Sequence, residues 1–418
     1  MKALVLALAK LGDFIQASPV FKSLSQRADE IYVLTAQKSV TEAAKISNLF
    51  TEVLEVDLKD PNLKNIPPGR LTVYNLSMAP PALALADKIL AANPGSAIFG
   101  PHQRKGRLIL PQAQEIALNV LKINRRLSPF NLVDIWRRIE PGFLADRKLF
   151  WPGNFSSEKY QQAGLVLGAG SPRRRWPREK FTAIAEILAR KFGLRPVLLG
   201  GPGERALAKA VCQNISPETE LTNLAGQTDL SELAGTVSGL RLLISGDTGV
   251  MHLGAALGTE VVSLFFGPAW AGETGPYREN QLVIQTPAPC APCSEGRPCP
   301  SRLCQAVPEV CQAAEAVNCI LNSKKPENLQ GAFLTSLDSF GYKLTPLGEP
   351  TAEQRQALII REGACAVLEP DYVPDLPGPE PGRRPQPDFF RAVALKIWPD
   401  SVSRKRFLEA ADALGALG

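Results

Sequence analysis

The segment SGDTGVMHLGAALG, residues 245–258, joins an apolar run, Leu240 to Ile244, to an Ala-rich helical pattern. The junction consists of two glycines, an acid and a hydroxyl, followed by His252, one of only two histidines in 418 residues. Gly246 and Gly249 permit a tight turn and close backbone approach, and Asp247 or Thr248 can cap the helix. A helix N-terminus offers unpaired N–H groups and a partial positive charge, which together bind anions. The same residues also describe an ordinary capped turn beside a core histidine, and the loop alone does not choose between these readings.

Four further stretches carry candidate chemistry. In GAGSPRRRWPREKF, residues 168–181, Gly168 and Gly170 precede Arg173, Arg174 and Arg175. Arginine's planar fork pairs bidentately with phosphate oxygens, although a run of charge is more commonly a solvated loop. LLGGPGERA places Gly200, Gly201 and Gly203 before Glu204, as either a turn with an acidic helix start or a carboxylate for a ribose. Asp13, in AKLGDFIQASP, is either a helix cap or a base projecting from the end of the first strand. Finally, Cys290, Cys293, Cys299 and Cys304 read C-x2-C-x5-C-x4-C, with Cys311 seven residues on. Close thiolates in a reducing compartment point to zinc or an iron–sulfur cluster, but the later spacings are not those of a zinc knuckle.

The elements that must position these residues alternate regularly. ALVLAL, EIYVLTA, TEVLEVD, RLTVYNLS and SAIFG are strand-like and are separated by amphipathic helices. Periodicity lapses over residues 141–160 and restarts with GLVLGAG, RPVLLGG, LRLLIS and TEVVSLFFG. Strands separated by helices of this length make βαβ units and parallel sheets. The expectation is two Rossmann-like domains, residues 1–150 and 160–325, with a ligand cleft between them. Residues 326–418 form an extension with six prolines between Pro374 and Pro387, to which no chemistry is assigned.

Composition is that of a soluble globular protein, with 45% hydrophobic and 21% charged residues. A net charge of +6 favours acidic ligands. Basic clusters interleaved with aromatics are absent, so no nucleic-acid partner is expected. The apolar run Ala3–Ala9 is followed by Lys10 and Asp13 without a small-x-small cleavage site, and reads as a buried strand. No stretch reaches the roughly 18 apolar residues of a membrane span. A cytoplasmic protein with at most peripheral membrane contact is expected.

Taken together, LAKLGDFIQASPVFKSL, GAGSPRRRWPREKF, LLGGPGE, the block LAGQTDLSELAGTVSGLRLLISGDTGVMHLGAALGTEVVSLFFGP and TGP (Thr274–Pro276) resemble glycosyltransferase family 9 in order and spacing. These are the heptosyltransferases of lipopolysaccharide core synthesis, and the resemblance covers about residues 1–320. It implies a GT-B fold, with the sugar nucleotide held mainly by the second domain. It implies that Asp13 is the general base, that Asp247, Thr248, Gly249 and His252 hold the donor diphosphate, and that Glu204 touches the ribose. Arg174 stands where the family usually has lysine, so the charge is kept but a flexible ammonium becomes a rigid fork. No acidic pair with metal-ligand spacing stands near these loops, so transfer is expected to need no divalent cofactor. Some members of the family carry a cysteine-rich stretch after TGP and others lack it, which leaves at most a structural metal at residues 290–311.

The implied function is inverting transfer of a heptose-like sugar from a nucleotide donor, ADP-heptose foremost, to a lipopolysaccharide core or related glycolipid. A relative with another sugar nucleotide or acceptor, or a binding protein without turnover, are the alternatives. Between His102 and Arg138 stand Arg104, Lys105, Arg107, Lys122, Arg125, Arg126, Arg137 and Arg138 against only Glu115 and Asp134. Such an excess is either a solvated surface or a surface for an anionic glycolipid at the inner membrane.

Overall fold

A computed structural model describes residues 1–155, 158–296, 298–306, 308–324, 329, 331–369, 371–372, 387–398 and 400–413. The proline-rich stretch 374–386 lies outside the described residues.

The first sheet is built from β1 (Lys2–Ala7), β2 (Glu30–Thr35), β3 (Glu52–Glu55), β4 (Thr72–Asn75) and β5 (Ala97–Phe99), in the order β3-β2-β1-β4-β5. Every pairing is parallel. β1 is central, and its residues Ala3–Ala7 are all buried, which is why KALVLA reads as a continuous apolar run rather than an alternation. A separate antiparallel hairpin follows, β6 (His102–Arg104) and β7 (Arg107–Ile109), closed through Lys105 and Gly106 at positive φ.

The second sheet contains β8 (Tyr160–Val166), β9 (Arg195–Leu199), β10 (Thr222–Asn223), β11 (Leu240–Gly246), β12 (Glu260–Phe265), β13 (Leu282–Gln285), β14 (Ala332–Leu337) and β15 (Tyr342–Pro346). Its order is β10-β9-β8-β11-β12-β13-β14-β15. The first six strands are parallel and follow the dinucleotide-fold order 3-2-1-4-5-6, whereas β14 and β15 add antiparallel. In both sheets the strand order reverses at the central strand. The loops that leave β1, β8 and β11 therefore open at the switch points, where α/β sheets leave a crevice.

The chain beyond residue 325 divides between the two halves. β14 and β15 continue the second sheet, so that sheet does not end where the extension was expected to begin. The helices Ala352–Leu368, Pro387–Ile397 and Ser401–Ala413 return to the first half. There Ile359, Ile360, Phe390, Trp398 and Phe407 join a core with Ala113, Ile116, Val120 and Trp136. The helices pack closely, because a Cβ on Gly363 would meet Phe407 Cδ2 at 2.5 Å. No helix among the described residues is long and apolar enough to cross a membrane.

Candidate active-site cleft

A cleft of about 1360 Å³ separates the two halves, lined among others by Lys10, Asp13, Arg174, Asp247, Thr248, Gly249 and His252. The volume is somewhat above the range of about 300–1,000 Å³ usual for small-molecule sites.

The loop after β11 resolves the capping question. Thr248 is the N-cap of the helix Gly249–Leu257, its hydroxyl accepting from the Met251 N–H at 3.4 Å, and Ser245 Oγ lies 3.1 Å from the same hydroxyl. Asp247 is thereby released from capping and turns to the cleft, where it accepts from Arg174 Nη1 at 3.0 Å. Burial pushes its carboxyl up to about 6, against the pull of Arg174 and Thr274. A carboxyl so poised can take a proton when an anion approaches, and then donate a hydrogen bond to it.

His252 is 2% exposed and burial lowers it to about 3, so the ring is neutral at physiological pH. Its Nδ1 has no partner among the described residues. Towards an anion it would act as a neutral hydrogen-bond donor, not as a cation. The helix N-terminus meets the first half directly. A Cβ on Gly12 would lie 3.2 Å from His252 Cδ2 and 3.6 Å from Gly249 Cα. A side chain at Gly12 would require His252 to give way by a few tenths of an ångström.

Asp13 occupies the first turn of the helix Leu11–Gln16, and its Oδ2 accepts from the Lys10 N–H at 3.0 Å. It therefore closes the turn and borders the cleft at the same time. Burial raises its pKa, only partly offset by that N–H, by Lys10 and by Arg174. A carboxylate raised in this way is a stronger base than one in water.

The arginines of the 168–181 loop have three separate fates. Arg174 bridges Asp247 and Glu295, the latter at 2.7 Å. Arg173 donates to the Ser294 carbonyl at 3.2 Å. Arg175 pairs with Glu204 at 3.0 Å, and the other Glu204 oxygen accepts from the Gly201 N–H at 3.0 Å. Glu204 thus ties two glycine loops together and is not among the residues bordering the cleft. A Cβ on Gly200 would meet its side chain at 2.8 Å.

Sequence reasoning missed an ion pair beside the cleft, of which Arg125 is a lining residue. Arg125 Nε and Nη2 donate to Glu273 across 2.6–3.1 Å, joining the turn Arg125–Leu127 of the first half to the helix Ala271–Thr274 of the second. Burial raises Glu273 even with Arg125 beside it. The TGP motif next to it was the available signal. Its Gly275 is required because a Cβ there would run into Tyr342 Oη.

The basic stretch divides. Arg137, 4% exposed, donates to the Ala145 carbonyl, and Arg138 donates to the Phe340 carbonyl and pairs with Glu369. Arg126 is held by Glu353 and by the carbonyls of Ala288, Pro289 and Ala291. With Arg125, these four are internal ties rather than surface. Arg104, Lys105 and Arg107, on the β6–β7 hairpin, are exposed together with Leu108 and Ile109 of the same hairpin, which are 46% and 39% exposed.

Among the described residues no group of three or more His, Cys, Asp or Glu is arranged to hold an ion. The cysteine-bearing loop is tied to the arginine turn. Gln305 Nε2 donates to the Pro172 and Arg175 carbonyls, the Trp176 indole to Pro308, and the Cys293 N–H to Gly267. Cys304 is buried, whereas Cys290 and Cys311 are exposed.

Two Rossmann-like sheets facing across a cleft define a GT-B architecture. The glycosyltransferase family 9 protein of Veillonella parvula matches 77% of this chain with 98% of its own, at a TM-score of 0.56 and 18% identity. The Escherichia coli ADP-heptose lps heptosyltransferase II matches 77% of this chain with 99% of its own, at a TM-score of 0.55 and 18% identity. Residues 148–301 match the model for glycosyltransferase family 9 (heptosyltransferase). Lipooligosaccharide heptosyltransferase 2 of Haemophilus ducreyi is 30% identical over 134 residues, 31% of this chain and 38% of the relative. Lipopolysaccharide heptosyltransferase 1 of Pseudomonas aeruginosa is 31% identical over 120 residues, 29% of this chain and 32% of the relative. The matches thus span about a third of the length of these curated relatives.

Proposed function

We propose that this protein is an inverting glycosyltransferase that moves heptose from ADP-heptose to a lipopolysaccharide core or related glycolipid. The observation that supports the reading is the opposition across one cleft of Asp13, from the first half, and Arg174, Asp247 and the Thr248-capped helix, from the second. The acceptor hydroxyl gives its proton to Asp13 as its oxygen bonds to the anomeric carbon, and the nucleoside diphosphate departs from the opposite face. Arg174 and the amides of Gly249 and Val250 receive the developing charge, and Asp247 near 6 can take a proton to do the same. The neutral His252 ring adds a hydrogen-bond donor. Glu204, spent on Arg175 and Gly201, reaches a ribose only by sharing its remaining lone pairs.

Incubation with candidate donors and a heptose-deficient core glycolipid tests the reading. Release of ADP from ADP-heptose that depends on the acceptor is the expected result. Donor binding without release would establish the binding protein instead, and turnover of GDP- or UDP-sugars would change the donor.

For the acceptor side we propose peripheral docking on an anionic membrane through the β6–β7 hairpin. The hairpin follows β5 at the same sheet edge as Asp13, and it combines exposed basic and apolar side chains. Each basic residue at such a surface contributes about 1 kcal/mol, screened by salt. Charge reversal of Arg104, Lys105 and Arg107 is expected to abolish salt-sensitive liposome binding and raise the acceptor KM, with the donor KM unchanged. Arg125, Arg126, Arg137 and Arg138 are excluded from that test because their loss would undo internal packing. Salt-independent binding, or an unmoved acceptor KM, would return the hairpin to a solvated surface.

A further inference from the structure

The Arg174 fork is already occupied on both sides. Nη1 donates to Asp247 at 3.0 Å and Nη2 to Glu295 at 2.7 Å. The two carboxylates differ in kind. Asp247 is almost buried at the end of β11, whereas Glu295 is half exposed on the cysteine-bearing loop. Burial alone would raise Glu295, yet Arg174, Arg173 and Lys10 hold it below the usual carboxylate range. Lys10 and Arg174 reach the same point from opposite halves, since a Cβ on Gly170 would meet Lys10 Nζ at 3.5 Å and Arg174 Nη1 at 3.9 Å. Three cations therefore act on an anion that the chain itself supplies, and two of them, Lys10 and Arg174, line the cleft.

We propose that Glu295 sets donor affinity by standing in for a phosphate on Arg174, and that its carboxylate leaves that guanidinium when a nucleoside diphosphate binds. The proposal rests on the reading of Arg174 as a diphosphate ligand. A guanidinium that engages a diphosphate through both terminal nitrogens has to release Nη2, and a carboxylate left beside the phosphate would repel it. Glu295 can move because its backbone lies in a loop with an exposed side chain, whereas Asp247 is fixed by the strand and the capped turn. The ties from Arg173 to Ser294 and from Cys293 to Gly267 keep the loop in place, so that Glu295 returns when the nucleotide departs. Selectivity against uncharged ligands follows as well: a nucleoside without phosphate has no charge with which to displace the carboxylate.

Calorimetric titration of ADP and of adenosine into the full-length protein, Glu295→Gln, Glu295→Ala, Arg174→Ala and the double variant Arg174→Ala/Glu295→Gln tests this. Both Glu295 variants are expected to bind ADP roughly two- to fivefold more tightly, the worth of a partly exposed ion pair. Adenosine affinity is expected to stay the same. The gain should shrink as salt approaches about 300 mM and vanish in the double variant. A purely structural role would weaken ADP and adenosine together. If Arg174→Ala weakens ADP while both folded Glu295 variants bind it no more tightly than the parent, this inference fails and the diphosphate site stands. If Arg174→Ala leaves ADP binding unchanged, both fail.

Discussion

Asp13→Asn is expected to lower turnover at least about 100-fold, the usual contribution of a general base, while ADP affinity stays within about twofold of the parent. The asymmetry follows from where the carboxylate acts. Accepting the acceptor's proton matters only as the new glycosidic bond forms, so kcat falls and nucleotide binding does not. Asparagine retains a carbonyl oxygen able to accept from the Lys10 N–H, so the turn at Leu11–Gln16 keeps its closure. The substitution also removes a carboxylate that burial disfavours, so the variant should melt no earlier than the parent. The parent should lose kcat/KM as pH falls through the raised pKa of Asp13, and the residual activity of the variant should lack that limb. An early-melting variant with normal activity per folded molecule would make Asp13 a cap and nothing more.

Arg174→Ala is expected to weaken ADP and ADP-sugar binding by about 1.5–3 kcal/mol, the range for hydrogen bonds to charged groups. The loss has two parts. The phosphate oxygens lose their fork, and Asp247 loses the cation that offsets its burial. With its pKa raised still further, Asp247 would be protonated nearer neutral pH, and part of the lost affinity should return as the pH is lowered towards 6. Arg174→Lys should fall between parent and alanine, since the charge survives without the bidentate geometry. Calorimetry at fixed ionic strength decides the matter, and an unchanged Kd in the alanine variant would remove Arg174 from the donor site.

How much of this was legible in the sequence depended on the range of the interaction. The alternation of apolar runs and amphipathic helices determined two parallel α/β sheets, because strand and helix periods are local properties of the chain. The glycine-bearing loops after β1, β8 and β11 were legible for the same reason, and with them Asp13, Arg174, Asp247 and Thr248 as residues at strand ends. Which of Asp247 and Thr248 capped the helix and which faced the cleft was not legible, because both choices satisfy the local pattern. Tertiary packing chose Thr248 as the cap and freed Asp247.

The remaining decisions belong to residues far apart in the chain. Arg125 meets Glu273 across 148 positions and Arg174 meets Glu295 across 121. Four arginines that looked like a basic surface are buried or tied to carbonyls and carboxylates brought up by the second half and the returning helices. Glu204 satisfied a ribose-binding pattern, yet Arg175 and the Gly201 amide already take its oxygens. The cysteine spacing did not reveal that the folded loop is tied to the arginine turn through Gln305 and Trp176. Charge in a sequence records only that a partner is needed. The partner itself is settled when the sheets close against each other, because a buried ion must be paired by whatever the fold brings within reach.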